Sequence, residues 1–252
     1  MVPFGEYLEK QVALLSESVA SVEKKKVFSE GVVLINLAMR TMALGDGQIW
    51  SQLCDYLLST CLHRTPPMPV VITPLMNFVK IAYDTNFSYL VTSASLLLKK
   101  WWQPITNLLD FSFLRHDFSL SSIVLNLHVK IVQLIRKHPH LKEELNYQPE
   151  IIVNYIINLF SKRDIWEYEA FNNSLNYLNL ALQLGYPPLP ILTCLLNSFG
   201  KLQETLWHSL NTMLTFIYKN YGFDMFAHVL GEMGSTLADE GNPLRKELEG
   251  SF

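Results

Sequence analysis

One stretch of this chain is written more than once. Tyr186-Pro-Pro-Leu-Pro-Ile-Leu-Thr-Cys-Leu-Leu-Asn-Ser-Phe-Gly-Lys201 has a near copy at Pro66-Pro-Met-Pro-Val-Val-Ile-Thr-Pro-Leu-Met-Asn-Phe-Val-Lys80 and a fainter relative at Pro149-Glu-Ile-Ile-Val-Asn-Tyr-Ile-Ile-Asn-Leu-Phe-Ser-Lys162. In all three an apolar pair is followed in order by an Asn, a Phe and a Lys. Repetition of this length constrains the fold before any propensity is weighed. A unit too small to bury its own apolar flank must cover it with the next copy, and the product is an array rather than an arbitrary globule.

The remaining punctuation agrees with helical units. Residues 5 to 24 carry Tyr7 or Leu8, Val12, Leu15 and Val19 on one helical face, and Lys24-Lys25-Lys26 suits the carboxyl end of a helix dipole. Val27 to Leu44 form a second helix closed by Gly45-Asp46-Gly47, and Ile49 to Cys61 a third, ended by Thr65-Pro66-Pro67. The first repeat copy gives a helix over Pro69 to Ala82 that Pro74 kinks or that starts near it. A further helix covers Phe87 to Lys100, and the segment from Trp101 through Pro104 to Phe118 is the least regular part, a short helix or a junction between sub-arrays.

Ser121 or Ser122 is placed to cap the next helix, whose apolar positions Leu120, Val124, Leu127, Ile131 and Leu134 step by four and three until His138-Pro139. Asp164 and Glu167 mark another start. The helix after them carries Phe171, Leu175, Leu178 and Leu182 and stops at Gly185. The next carries Leu206, Leu210, Met213 and Ile217 and stops at Gly222, and the last carries Phe226, Leu230, Met233 and Leu237. No strand alternation of useful length occurs. The expectation is an all-α chain: one array of antiparallel helices over residues 1–252, with residues 101–118 as the place for a junction.

Composition sets the class of partner. Hydrophobic residues make up 49% of the 252 and charged ones only 17%, against roughly 25% in an ordinary soluble domain. Apolar surface beyond what one chain can hide reads as a slice of a larger protein or a member of a stable complex. The net charge of −3 gives no general attraction for a phosphate backbone, so nucleic acid is disfavoured. Three cysteines, Cys54, Cys61 and Cys194, and the lack of a charged-then-apolar leader pattern point to an intracellular compartment, cytoplasm or nucleus. No apolar run reaches the roughly 18 residues of a membrane span.

Chemistry is harder to find. His138-Pro139-His140 cannot present a helical pair of rings to a metal, and the cysteines supply no second ligand pair at zinc spacing. No phosphate loop, nucleophile elbow or metalloprotease motif occurs, and Glu143-Glu144 and Glu167 with Glu169 fit a solvated helix face better than an acid-base dyad. The reading is therefore non-enzymatic, without cofactor or metal.

An Asn set among apolar residues recurs at Asn36, Asn77, Asn126, Asn158 and Asn197, four intervals averaging about 40 residues. Leu34-Ile-Asn-Leu-Ala38, Leu125-Asn-Leu127 and Ile156-Ile-Asn-Leu-Phe-Ser161 resemble the third helix of an armadillo repeat, and the chain as a whole resembles a divergent armadillo or HEAT-like α-solenoid. The Trp that often precedes the Asn by one turn in peptide-gripping members is absent before Asn158 and Asn197. The resemblance implies a scaffold for protein or peptide partners. Its ladder of amides would be Asn158 and Asn197 first, then Asn126 and Asn36. A helical regulatory subunit of an enzyme and an RNA-associated helical scaffold are the rival readings.

Lys99-Lys100-Trp101-Trp102 is the one place where basic and aromatic residues adjoin. The Trp pair either packs a junction between helix pairs or serves as a contact hot spot for a protein, with nucleic acid last.

Overall fold

The computed structural model describes residues 51–52, 54–55, 57–59, 62, 71–85, 87–115, 118–162, 168–198 and 202–238. The two expected amino-terminal helices, Asn36, Cys61, the Asp164 and Glu167 start signal and the polar tail from Asp239 lie outside them. The described residues of the expected third helix, between 51 and 59, are helical. Ten further helices follow: α1 (Ile72–Asp84), α2 (Ser88–Thr106), α3 (Leu108–Arg115), α4 (Phe118–Lys137), α5 (Leu141–Glu144), α6 (Pro149–Lys162), α7 (Tyr168–Gln183), α8 (Pro188–Ser198), α9 (Trp207–Tyr221) and α10 (Phe223–Ala238). No strand occurs among the described residues, so the all-helical expectation holds. The chain divides into two compact units, Met1–Gln148 and Pro149–Phe252.

In the first unit α4 is the central element. Leu120, Val124, Leu127, Ile131 and Leu134, the face read from the sequence, are all fully buried, and so are Leu125 and Val132 beside them. It packs chiefly on α1 and α3. Pro74 falls in the first turn of α1, where a missing N–H costs no helical bond. Lys137, the last residue of α4, donates its Nζ to the carbonyls of Tyr83 and Thr85 and lies over the Tyr83 ring. The carboxyl ends of α1 and α4 therefore lie side by side, and an ammonium answers the exposed carbonyls there.

Two details of this unit depart from expectation. Ser121 and Ser122 do not cap α4, which begins at Phe118. Both are buried inside its first turns, and Ser121 meets Ser112 of α3 at 2.6 Å. Ser112 already donates to the Leu109 carbonyl, so Ser121 is the donor between them. The helix expected to end at Lys100 continues to Thr106 through Pro104. The buried pairs Leu97 and Leu98, Trp101 and Trp102, and Ile105 and Thr106 keep the helical step, and that burial outweighs the one bond which Pro104 removes near the end.

Behind α4 a buried polar chain joins three segments. His128 is fully buried on α4, with Nε2 at 3.0 Å from Thr106 Oγ1 and Nδ1 at 3.0 Å from Tyr147 Oη. Thr106 spends its own proton on the Trp102 carbonyl at 2.7 Å. The protons are thus assigned in one direction: Tyr147 donates to Nδ1, Nε2–H donates to Thr106, and Thr106 donates to Trp102. Burial pushes His128 down to about 3, because a charged ring would be stripped of its water.

One turn design is used twice, once at the end of the first unit and once within the second. A turn with Asn146 at φ 47° leads into α6, and a turn with Gly185 at φ 89° leads into α8. In each, the N–H of the following Tyr returns to the carbonyl five residues back, Tyr147 to Lys142 and Tyr186 to Ala181 at 3.0 Å. The residue in the left-handed region donates three back, Asn146 to Glu143 and Gly185 to Leu182. This pairing closes a helix whose last carbonyls would otherwise be orphans. Then a Pro opens the next helix. The sequences Leu145-Asn-Tyr-Gln-Pro149 and Leu184-Gly-Tyr-Pro-Pro188 stand 39 residues apart, which lengthens the repeat backward through the turn.

The stripes on α7 and α9 match expectation: Phe171, Leu175, Leu178 and Leu182, and Leu206, Leu210, Met213 and Ile217, are all buried. On α10 they do not. Leu230 is 52% exposed and Val229 beside it is buried, while Phe226 is half-buried.

Two stability predictions follow from the His128 chain and the two turns. The unfolded His takes up protons near its usual 6.5 whereas the folded one does so only near 3, so the unfolded state binds more protons between those values. Stability is complete above about 6.5 and falls as pH drops toward about 3, and His128→Gln flattens that slope in urea titrations across the window. At Gly185 an added Cβ meets nothing within 4 Å, so Gly185→Ala carries only the backbone penalty, about 1 kcal/mol in the same assay.

Candidate functional site

Of the Trp and Lys cluster on α2 the Trp pair is internal and the Lys pair exposed. Trp101 and Trp102 are 4% and 3% exposed. The Trp101 indole donates to Asp55 Oδ1 at 2.7 Å, and the Trp102 indole donates to the Leu145 carbonyl at 3.0 Å while its ring packs on Tyr147 at 5.3 Å. Of the two roles weighed for the pair, packing is the one the geometry fits, and a surface hot spot is not what these indoles form. Lys100 sits over Trp101 and pairs with Asp55 at 2.7 Å. Burial raises the Asp55 carboxyl, but the bonds from Lys100 and Trp101 together with the Lys100 charge bring it below its ordinary value. Lys99 is exposed and lies on α2 beyond this cluster. The signal for this anchor was present in the sequence as an aromatic pair at helical spacing from Leu97 and Leu98; Asp55, 46 residues from Trp101, was not recoverable from it.

The Asn series separates into three environments. Asn77 on α1 is 4% exposed and engaged within the fold. Asn126 on α4 is half-buried and stands one position earlier in the burial pattern than the others, so about 100° of helical rotation separates it from them. Asn158 on α6 and Asn197 on α8 are exposed. Among the described residues neither amide has a hydrogen-bond partner; the one contact at Asn158 is its backbone carbonyl accepting from Ser161.

Asn158 and Asn197 occupy the same place in two copies of one helix. Ile152, Val153, Ile156 and Leu159 of α6 are buried, as are Ile191, Leu192, Leu195 and Ser198 at the matching positions of α8. The two helices pack directly on each other. Cys194 Sγ approaches the Ile157 carbonyl at 3.8 Å, and Tyr186, just before α8, is pushed up by burial and by the Glu150 charge in the first turn of α6. Both ends of contact are thus in register, and α6 and α8 run side by side in the same sense. Their outward stripes carry Ile151, Asn154, Asn158 and Ser161 on one helix and Pro190, Thr193 and Asn197 on the other. Asn154, one turn before Asn158, went unread in the sequence, although its spacing of four from Asn158 marks it as a member of the same stripe.

A second exposed surface comprises Trp207, Tyr218 and Tyr221 of α9 with Phe223 and Leu230 of α10. No group of three metal-ligating side chains occurs among the described residues. Cys54 and Cys194 are buried free thiols. Burial drives both up, Cys194 to about 11, which keeps them protonated and unreactive. No described helix is long and apolar enough to cross a membrane.

Comparison with protein-family models, with curated proteins and with solved structures returns no match.

The roles assigned to α2 separate cleanly on mutation. Trp102→Ala removes a packed ring and its bond to Leu145 and costs about 3–5 kcal/mol in denaturant unfolding, whereas Lys100→Ala, at an exposed pair, costs about 1 kcal/mol or less.

Proposed function

We propose that this chain is a non-enzymatic helical-repeat scaffold, an armadillo- or HEAT-like α-solenoid of antiparallel helices that binds a protein or peptide partner within a larger protein or complex. The observation that carries the reading is the pair of exposed amides, Asn158 and Asn197, without a side-chain partner among the described residues and displayed at equivalent positions of two packed, co-directed helices. An amide offers a donor and an acceptor together, and an extended peptide backbone presents the complementary pair.

Of the four amides read as a ladder, these two carry the proposal; Asn126 is half-buried in the other unit and Asn36 lies outside the described residues. The α2 cluster adds nothing to a nucleic-acid reading, since Asp55 occupies Lys100 and the indoles are internal.

Replacing Asn158 and Asn197 together by Ala weakens partner capture while leaving the thermal midpoint unchanged, because neither side chain is bonded within the described fold. Asn77→Ala does the opposite and lowers the midpoint, since a buried amide's partners are left unsatisfied at about 1–3 kcal/mol. Quantitative pull-down and thermal melts on the same variants distinguish the two. Undiminished capture by the double variant would remove the amide face from the reading.

A further inference from the structure

Helices α1 and α4 of the first unit are largely enclosed, and each keeps one narrow stripe open. On α1 it holds Met76, Lys80 and Tyr83, and on α4 Asn126, Lys130, Gln133 and Lys137, positions three and four apart that lie on one helical face. The two helices pack on each other, and the Lys137 ammonium stands 5.4 Å from the centre of the Tyr83 ring. The stripes therefore meet at their carboxyl ends and open on the same side. Three of these positions are lysines. Lys80 is exposed and closes no ion pair among the described residues. Lys130 is steadied by Gln133 Oε1 at 3.3 Å and Lys137 by the Tyr83 and Thr85 carbonyls, neutral acceptors that fix an ammonium without cancelling its charge. Asp84, exposed one turn after Lys80, is the one carboxylate on either described stripe.

We propose that this surface docks an acidic segment of a protein partner. Carboxylates of the segment answer Lys80, Lys130 and Lys137, while the Asn126 amide, one turn before Lys130, offers a donor and an acceptor to its backbone. Two of the three ammonium groups are already held in place, so less side-chain freedom is lost when a carboxylate arrives. Asp84 repels a carboxylate at the rim and so fixes where the acidic residues of the segment cannot sit. A phosphate backbone suits the surface less well. It brings a charge at every step, including the one beside Asp84, and its bases need open rings to stack on, whereas Lys137 already lies over Tyr83. The proposal goes beyond the amide reading, since it concerns the other unit, and neither needs the other to hold.

The test is selection of random phage-displayed peptides on the full 252-residue chain after depletion on the Lys80→Gln and Lys130→Gln double variant, so that only peptides which need the stripes remain. Peptides are expected to survive this and to be enriched in Asp and Glu. Titrated singly, they lose about tenfold in affinity in the double variant, severalfold in Lys80→Gln alone, and a comparable factor from low to high salt. They gain severalfold in Asp84→Asn, which removes the repelling carboxylate. Lys99→Gln, at an exposed lysine of α2 off the stripes, and the Asn158→Ala and Asn197→Ala double variant leave the affinity unchanged.

An empty selection, or surviving peptides with no excess of Asp and Glu, would overturn the proposal and leave the amide reading untouched. So would a loss of equal size in Lys99→Gln, which marks attraction to net charge rather than docking on α1 and α4. Displacement of the peptides by oligo-uridylate at equal or lower concentration would overturn it in favour of a nucleic-acid contact. Thermal melts check that each variant keeps the fold. Should Lys130→Gln disturb α4 through its bond to Gln133, Lys80→Gln, which breaks no described bond, serves alone for depletion and titration.

Discussion

Each described unit depends on the burial of a repeat copy's helical stripe against a neighbouring helix. Val71, Ile72, Pro74, Leu75 and Phe78 on and before α1 are covered where α1 meets α4. In the other unit Ile191, Leu192, Cys194, Leu195 and Ser198 are covered where α8 meets α6. The two sets occupy matching positions of the two strong repeat copies. The stripe is too short to support an isolated helix in water, since helices of under a dozen residues are marginal on propensity alone. α8, eleven residues opening on Pro-Leu-Pro, persists because its neighbour removes its apolar side from solvent.

Because packing holds the helices, the polar groups are free to specify which end meets which. Lys137 brings two helix carboxyl ends together, Ser112 and Ser121 lock α3 to α4, and Ser95 donates to Glu144 at 2.6 Å to place α5 against α2. The His128 chain is the most demanding of these devices. Each of its members carries one usable proton in one direction, so a change at any of them leaves a buried group without its partner, and alternative packings of α2, α4 and the Tyr147 turn lose the whole run of bonds. The equivalent turn in the second unit places Tyr186 half-exposed near Glu150, and it therefore forms no such chain. One repeat motif thus serves as an internal lock in one copy and as surface in another.

Much of this was legible. The four-and-three steps of α4, α7 and α9 read through to burial because each has one continuous apolar stripe and a clean stop at His138-Pro139, Gly185 or Gly222. The failures have specific causes. A local reading stops α2 early because Pro104 weighs heavily in it, whereas the continuing 97, 98, 101, 102, 105, 106 pattern is what the fold obeys. Ser121 and Ser122 resemble caps in sequence because a hydroxyl near a helix start is ambiguous until the neighbouring helix is known. Leu230 and Val229 are adjacent, and a sequence offers no reason to prefer the smaller residue for burial. His128 reads as a lone histidine, because its partners lie 22 and 19 residues away on other segments.

The Asn series bears on how such a face arises. A shared motif implies a shared role only where the surroundings repeat as well. Asn77 and Asn197 hold the same place in the two strongest copies, with the same sequence of buried and half-buried neighbours before them, yet one is enclosed and the other open. The difference comes from what packs outside the helix, since α1 lies along the long central α4 while the outward side of α8 is left to solvent. An enclosed amide must satisfy its bonds at home and contributes to stability. An open one leaves them unused within the described fold, which is what the proposed reading requires. The same repeat position is therefore enclosed in one copy and exposed in another without any change of residue, and under the proposed reading exposure, rather than the Asn itself, decides which copies bind.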